Sequence, residues 1–400
     1  MHRLDGFGTT IFAEMSALAE ATGAINLGQG FPDTDGPELV REAAVEAIRA
    51  GRNQYPPGIG IPELRHAVAR HQERFYGLRY DPDGEVLITT GATEAIAAAV
   101  LGLCGPGDEV VMFEPYYDAY AACVALAGAR RQVVPLRAPA FTFDPAELAG
   151  AVTDRTRVVL CNSPHNPTGR VFTEAELAAV AEICVRHDLV AVTDEVYEHL
   201  VFEGTHRPLA TFPGMRDRTV TISSGGKTFS FTGWKVGWAC AAPELLRAVR
   251  TVKQFLTYVN AAPFQAAIAR GLDLDDGYYR SLADELRARR DRLCAGLRAA
   301  GFEVFVPQGT YFVTTDIRPL GETDGMAFCR TLPERAGLVA VPMEVFHDDP
   351  EAGRTLVRWA CCKRPEVIEE AVARLTRLSR RPVPAAAEPE GGTGGRGRGR

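Results

Sequence analysis

Four hundred residues are too many for one compact core, so a large domain and a smaller one are predicted. A formal net charge of −7 gives no electrostatic reason to expect nucleic acid or an anionic membrane as partner. The nine cysteines are odd in number and scattered, with no C-x-x-C pair and one adjacent pair, Cys361–Cys362. That usage suits a reducing cytoplasm and argues against a disulfide framework or a metal site. No basic stretch leads into an apolar run at the amino terminus, so no signal peptide is expected, and no apolar run is long enough to span a bilayer.

Apolar runs that read as buried strands recur near residues 86–90, 109–114, 132–136, 158–162, 189–194, 220–224 and 236–241. Stretches of helical periodicity, such as 92–104 and 174–187, separate most of them. Strands alternating with helices predict an α/β fold with a mostly parallel seven-stranded sheet covered on both faces. After residue 242 the pattern changes to longer amphipathic helices, one of them at 278–300, and shorter strands near 302–306, 311–315 and 338–342. This predicts a large domain over 41–275 and a smaller α+β domain over 276–381, the latter packed with the segment 1–40. Residues 382–400 turn Pro/Ala-rich and then Gly/Arg-rich, and are expected to be a disordered, solvated tail and not a nucleic-acid site.

Six segments carry candidate chemistry. TTGATEAI (89–96) reads as strand, glycine turn and helix start, which would aim the amides of Gly91, Ala92 and Thr93 at an anion. FEPYYDAY (113–120) places aromatics in a loop after a strand, and CNSPHNPTG (161–169) ends the next strand in a Pro-framed turn. AVTDEVYEH (191–199) puts Asp194 at the carboxyl end of an apolar strand, where open α/β sheets bind ligands. SSGGKTFSFTGWKVGW (223–238) is the most informative segment. Gly225 and Gly226 are expected to bend the backbone sharply before Lys227, with Ser224 three residues earlier and Lys235 eight residues later. A lysine held this way can bind a carbonyl cofactor covalently, leaving the hydroxyl and second cation for a phosphate. A nucleotide-binding P-loop is excluded, because it needs a glycine where this chain has Thr221. Finally, VRWACCK (357–363) buries Arg358 in an apolar strand, and a buried guanidinium needs an anion.

The lysine segment resembles the lysine loop of the class I, fold-type I, pyridoxal-phosphate-dependent aminotransferases, and the likeness runs from about Arg3 to Arg381. The resemblance implies that Lys227 is both covalent anchor and general base. It implies that Asp194 faces the pyridine nitrogen, that Tyr197 and Asn166 bond O3′, and that Tyr117 stacks on the ring. Gly91, Ala92, Thr93, Ser224 and Lys235 would hold the phosphate, with Lys235 standing where many relatives have arginine. Arg358, Asn166 and Gly30 would receive the substrate's α-carboxylate. Tyr55, in NQYPPGIGIPELR (53–65), would reach the phosphate of a neighbouring subunit, making a homodimer with shared active sites.

Within the family the segments TTIFAEMSALA (9–19), NLGQGFPDTDGP (26–37) and VKQFLTYVNAAPFQ (252–265) are similar to actinobacterial succinyldiaminopimelate aminotransferases and to the kynurenine, glutamine and methionine branch. Kynurenine-type members carry an aromatic where alignment places Phe12, and another where this chain has Thr93, which disfavours a purely aromatic substrate. The expected reaction is a ping-pong transfer from N-succinyl-LL-2,6-diaminopimelate to 2-oxoglutarate, giving glutamate. The alternative is a methionine/glutamine/kynurenine aminotransferase with β-lyase activity on cysteine conjugates. A pyridoxal-phosphate-binding transcription regulator is disfavoured, because the likeness begins at Arg3 and leaves no room for a DNA-binding domain ahead of it.

Overall fold

Each of the seven apolar runs forms a strand of one sheet in the computed structural model, which describes residues 3–4, 7–8 and 10–378. The predicted tail lies outside the described residues. A two-residue strand, β1 (Ile25–Asn26), comes first. The sheet follows with β2 (Val86–Thr90), β3 (Glu109–Glu114), β4 (Arg130–Pro135), β5 (Thr156–Asn162), β6 (Val190–Asp194), β7 (Thr219–Ser224) and β8 (Val236–Cys240). Its order is β2-β8-β7-β6-β5-β3-β4. Only β8 runs against the rest, antiparallel to both β2 and β7.

The strands read as unbroken apolar runs because both faces are covered. Along β5, Val158 and Leu160 enter one core while Val159 and Cys161 enter the other. The period of two is therefore present but hidden, since neither face needs polar residues. The helices between strands start on local signals. Glu174–Arg186, for example, opens on a reciprocal capping box between Thr173 and Glu176.

A second sheet contains β9 (Glu303–Phe305), β10 (Phe312–Asp316), β12 (Val341–Pro342) and β13 (Leu356–Ala360), ordered β12-β13-β10-β9 and antiparallel throughout. The single strand expected at 338–342 is split. Its first half, β11 (Leu338–Val339), pairs in parallel with β1, and its second half pairs with β13. The chain divides there because two different partners need backbone hydrogen bonds on either side of Ala340.

The helix Ile11–Thr22 packs on the helix Gly325–Ala336, and Ala360 donates its amide to Leu27. The amino-terminal segment thus lies along the second sheet and reaches the carboxyl ends of the first. Among the described residues, no helix is long and apolar enough to cross a membrane. All nine cysteines are buried and free.

Candidate active site

β7 ends at Ser224, and one helical turn, Gly225–Thr228, carries Lys227 into a cavity of about 390 Å³. The expected sharp bend is therefore a turn of helix, and neither glycine takes a left-handed conformation. They are needed for room: a Cβ on Gly225 would meet Ile268 Cδ1 at 2.7 Å, and one on Gly226 would meet Thr232 Cα at 3.1 Å. Lys227 Nζ donates to the Gly30 carbonyl at 3.3 Å and lies 5.8 Å from the ring centres of Tyr197 and Tyr311. Burial pulls this amine down to about 8, helped by Lys235 and Arg358 and opposed by Cys362 and Asp194. Such an amine is partly neutral at physiological pH, which both a nucleophile and a base require.

Asp194 closes β6 and is buried. Its carboxyl accepts from the Tyr120 hydroxyl at 2.7 Å and the Val196 amide at 3.3 Å, both neutral donors. Burial raises its pKa and the Tyr120 bond opposes that rise. A cationic ring nitrogen beside it would supply the missing charge partner. Asn162, at the end of β5, ties two loops together. It donates to the Asp194 carbonyl at 2.8 Å, and its Oδ1 accepts from the Asn166 amide at 2.8 Å. Tyr197 packs edge-on against Tyr311 at 5.4 Å, and the Tyr311 hydroxyl donates to the Gly30 carbonyl at 2.6 Å.

A cradle for an anion stands on the other side of Lys227. Gly91, with φ +70°, opens the helix Gly91–Leu103, whose first amides have no partner within the helix. Those amides, at Gly91, Ala92 and Thr93, line the cavity together with Ser224 and Lys235. A Cβ at Gly91 would come within 3.2 Å of Lys235 Cε, so glycine makes room for that cation as well as for the positive φ. Asn260 fastens the two pieces by donating to the carbonyls of Thr89 and Lys235, each at 3.1 Å.

Arg358, on β13, is 1% exposed and carries the clearest demand for a ligand. Its Nη1 donates to Asn166 Oδ1 and its Nη2 to the Gly28 carbonyl, each at 2.9 Å, while buried Nε has no partner. The guanidinium lies 4.0 Å from the Phe312 ring, with Phe346 at 5.0 Å and Phe12 at 5.1 Å. Burial lowers its pKa to about 10, so it stays charged at neutral pH among neutral oxygens and rings. Opposite it, Gly30 allows the amino-terminal segment to lie on Phe312, where a Cβ would stand 2.4 Å from Phe312 Cζ.

One cavity therefore collects Phe12, Gly30, Gly91, Ala92, Thr93, Tyr117, Asn166, Asp194, Tyr197, Ser224, Lys227, Lys235 and Arg358. Tyr55 stands apart, 81% exposed, its ring 5.5 Å from Tyr258. Tyr120, Asn162 and Phe312 also line the cavity and were not anticipated. Tyr120 was recoverable, since it follows Tyr117 by three residues at the start of a helix and shares its face. Phe312 arrives from the second sheet, and no local signal announces it.

These residues fit pyridoxal phosphate: an amine for its aldehyde, an uncompensated carboxylate for its ring nitrogen, and an amide-and-lysine cradle for its phosphate. The family described as aminotransferase class I and II matches residues 22–375. A solved structure of N-succinyldiaminopimelate aminotransferase from Mycobacterium tuberculosis is 54% identical, with a TM-score of 0.93 over 94% of this chain and 99% of that one. The methionine aminotransferase of Escherichia coli is 39% identical over 377 residues, covering 94% of this chain and 97% of its own. Kynurenine–oxoglutarate transaminase 3 of Mus musculus is 36% identical over 399 residues, covering 92% of this chain and 88% of its own. The chain thus belongs to the class I and II aminotransferases and is a pyridoxal-phosphate-dependent transaminase.

Proposed function

We propose that the chain moves the amino group of N-succinyl-LL-2,6-diaminopimelate to 2-oxoglutarate, working as a cytoplasmic homodimer. The observation that carries the amino-acid part is Arg358, a buried cation that lines the same cavity as Lys227 and donates only to neutral oxygens, Asn166 Oδ1 and the Gly28 carbonyl. A carboxylate pairs with such a fork in two parallel hydrogen bonds. The choice of amine rests on the 54% identity, over nearly the full length of both chains, to a protein named for that substrate.

Pyridoxal phosphate, when bound, supplies a carbonyl for the substrate amine and a ring that draws electrons from Cα. Arg358 and Asn166 receive the α-carboxylate and so aim the Cα–H bond. Lys227 Nζ would serve as the base that moves the proton at Cα, and its lowered pKa makes the neutral amine accessible. Asp194, oriented by Tyr120, would face the ring nitrogen, whose positive charge would hold it ionised. Tyr197 and Asn166 would bond the ring oxygen, and Tyr117 would cover the ring face. Gly91, Ala92, Thr93, Ser224 and Lys235 hold the phosphate. The partition into 1–40, 41–275 and 276–381 belongs to the same proposal, with the cofactor held by the middle part and Arg358 supplied by the last.

The homodimer is supported by an exposed apolar patch of Tyr55, Phe255 and Tyr258, at 81%, 81% and 53% exposure. A partner subunit covering it would bring Tyr55 to the neighbouring phosphate. A second reading, methionine or kynurenine transamination, is favoured by the Phe12, Phe31 and Phe312 rings in the cavity wall. Amino donors ranked by kcat/KM with 2-oxoglutarate decide between them. Turnover of methionine, glutamine or kynurenine without turnover of the succinylated diamine overturns the first reading.

A further inference from the structure

We propose that His71, Glu198 and His199 form a zinc site on the far side of the cofactor-binding strands, a metal cross-link that transamination itself does not require. One ligand atom from each of the three lies within 4.8 Å of the others. Nε2 of His71 is 2.7 Å from Nε2 of His199. Sequence spacing does not reveal the set, because 128 residues separate the two histidines. His71 comes from the helix Pro62–Tyr76, while Glu198 and His199 follow β6 directly after Tyr197.

Two neutral imidazoles can meet through a single hydrogen bond, one ring donating and the other accepting. That arrangement leaves Glu198 unexplained. Its Oε1 accepts from Ser223 Oγ at 2.5 Å, while its Oε2 is buried without a hydrogen-bond partner, although the Tyr76 hydroxyl faces the same carboxyl. Two imidazoles and a carboxylate with a free oxygen are a donor set for a borderline-soft divalent ion, and three protein ligands leave one tetrahedral position open.

The 2.7 Å contact between the two Nε2 atoms requires at least one ring to present a lone pair there, and Arg74 lies close to both. Arg74 is itself paired with Asp276. Nitrogens on one tetrahedral zinc stand about 3.3 Å apart, so from 2.7 Å the rings would open by roughly 0.6 Å while the carboxylate closes in from within 4.8 Å. Phe75, 4.8 Å from His71 and 4.7 Å from His199, and Tyr279, 4.3 Å from His199, supply an apolar shell. His199 is half-buried.

The site would pin the helix Pro62–Tyr76 to the segment that follows Asp194. Ser223 faces Glu198, whereas its neighbour Ser224 faces the cofactor cavity, as alternation along β7 requires. The decisive experiment measures zinc in the full-length holoenzyme purified without chelator, then follows Tm as zinc is removed and added back. Retention of about one zinc per chain, a fall in Tm on removal and recovery with Zn²⁺ alone are expected. His71→Gln and His199→Gln should each lose at least ~10²-fold in zinc affinity. Wild-type enzyme that holds no zinc and shows no Tm rise with Zn²⁺ overturns the proposal, as does undiminished zinc binding by both variants. If the variants do not fold, anomalous scattering at the zinc edge from wild-type crystals decides, and no peak between the three side chains rejects the site.

Discussion

The two ends of the cavity are built differently. The cofactor end is assembled from residues within a few positions of strand ends in one sheet: Gly91 after β2, Asn166 after β5, Asp194 on β6, Lys227 after β7 and Lys235 before β8. Tyr120 and Asn162 brace Asp194 and the Asn166 loop there, while the first amides of the helix Gly91–Leu103 have no partner within the helix. The carboxylate end joins Phe12 and Gly30 from the amino-terminal segment to Phe312 and Arg358 from the second sheet, and it leaves the Arg358 Nε unpaired. Strand ends of one sheet would make a fixed frame for a group that stays bound, and a guanidinium between two sheets, bonded only to neutral oxygens, would suit an anion that comes and goes.

That contrast can be broken first at Lys227. Lys227→Ala is expected to lower kcat by at least ~10²–10⁴-fold through loss of the base alone. Cofactor should still be retained by Ser224, Lys235 and Asp194, which equilibrium dialysis checks. Wild-type turnover in that variant would refute the assignment of the whole loop. At the other end, Arg358→Lys keeps the charge but loses the fork, and a drop of about 10²-fold in kcat/KM, mainly through KM, is expected from losing one charged hydrogen bond and its alignment. Cofactor affinity should not change, and if it does, the two ends are not separate.

Tyr120→Phe tests the support beneath Asp194. Removing a bond to a charged acceptor is worth about 1.5–3 kcal/mol, so roughly a tenfold or larger fall in kcat is expected with KM little changed. Equal kinetics in the variant would leave Tyr120 a packing residue. The smallest effect is on pH. The neutral amine is the nucleophile, and Lys227 in the cofactor-free protein titrates near 8. Covalent capture of pyridoxal phosphate should therefore accelerate about tenfold per unit as pH rises towards 8 and level off above it. Stopped-flow absorbance reads this directly, and a profile still rising at pH 10 would contradict the lowered amine.

The cofactor end was legible in the sequence because each of its residues lies in a contiguous motif at a strand end, and burial on both faces made those strands plain. The second sheet was less so. Residues 338–342 look like one strand because an apolar run cannot show that its halves pair with different partners. The glycines before Lys227 advertised a bend, yet they serve close packing against Ile268 and Thr232. Phe312 and the His71–His199 pair are products of tertiary folding, and nothing local marks them.

The reversed strand β8 has a consequence for how the cofactor is kept. Had β8 run with its neighbours, its first residue would lie at the opposite rim, about 13 Å away for four steps of about 3.3 Å. Running backwards, it starts where β2 and β7 finish and sets Lys235 against Gly91. Under the proposed roles, the covalent tether Lys227 and the ionic tether Lys235 would belong to one connection between β7 and β8, eight positions apart. Whatever displaces that connection would slacken both tethers together, so an insertion within residues 228–234 should cost more cofactor retention than the loss of either lysine alone.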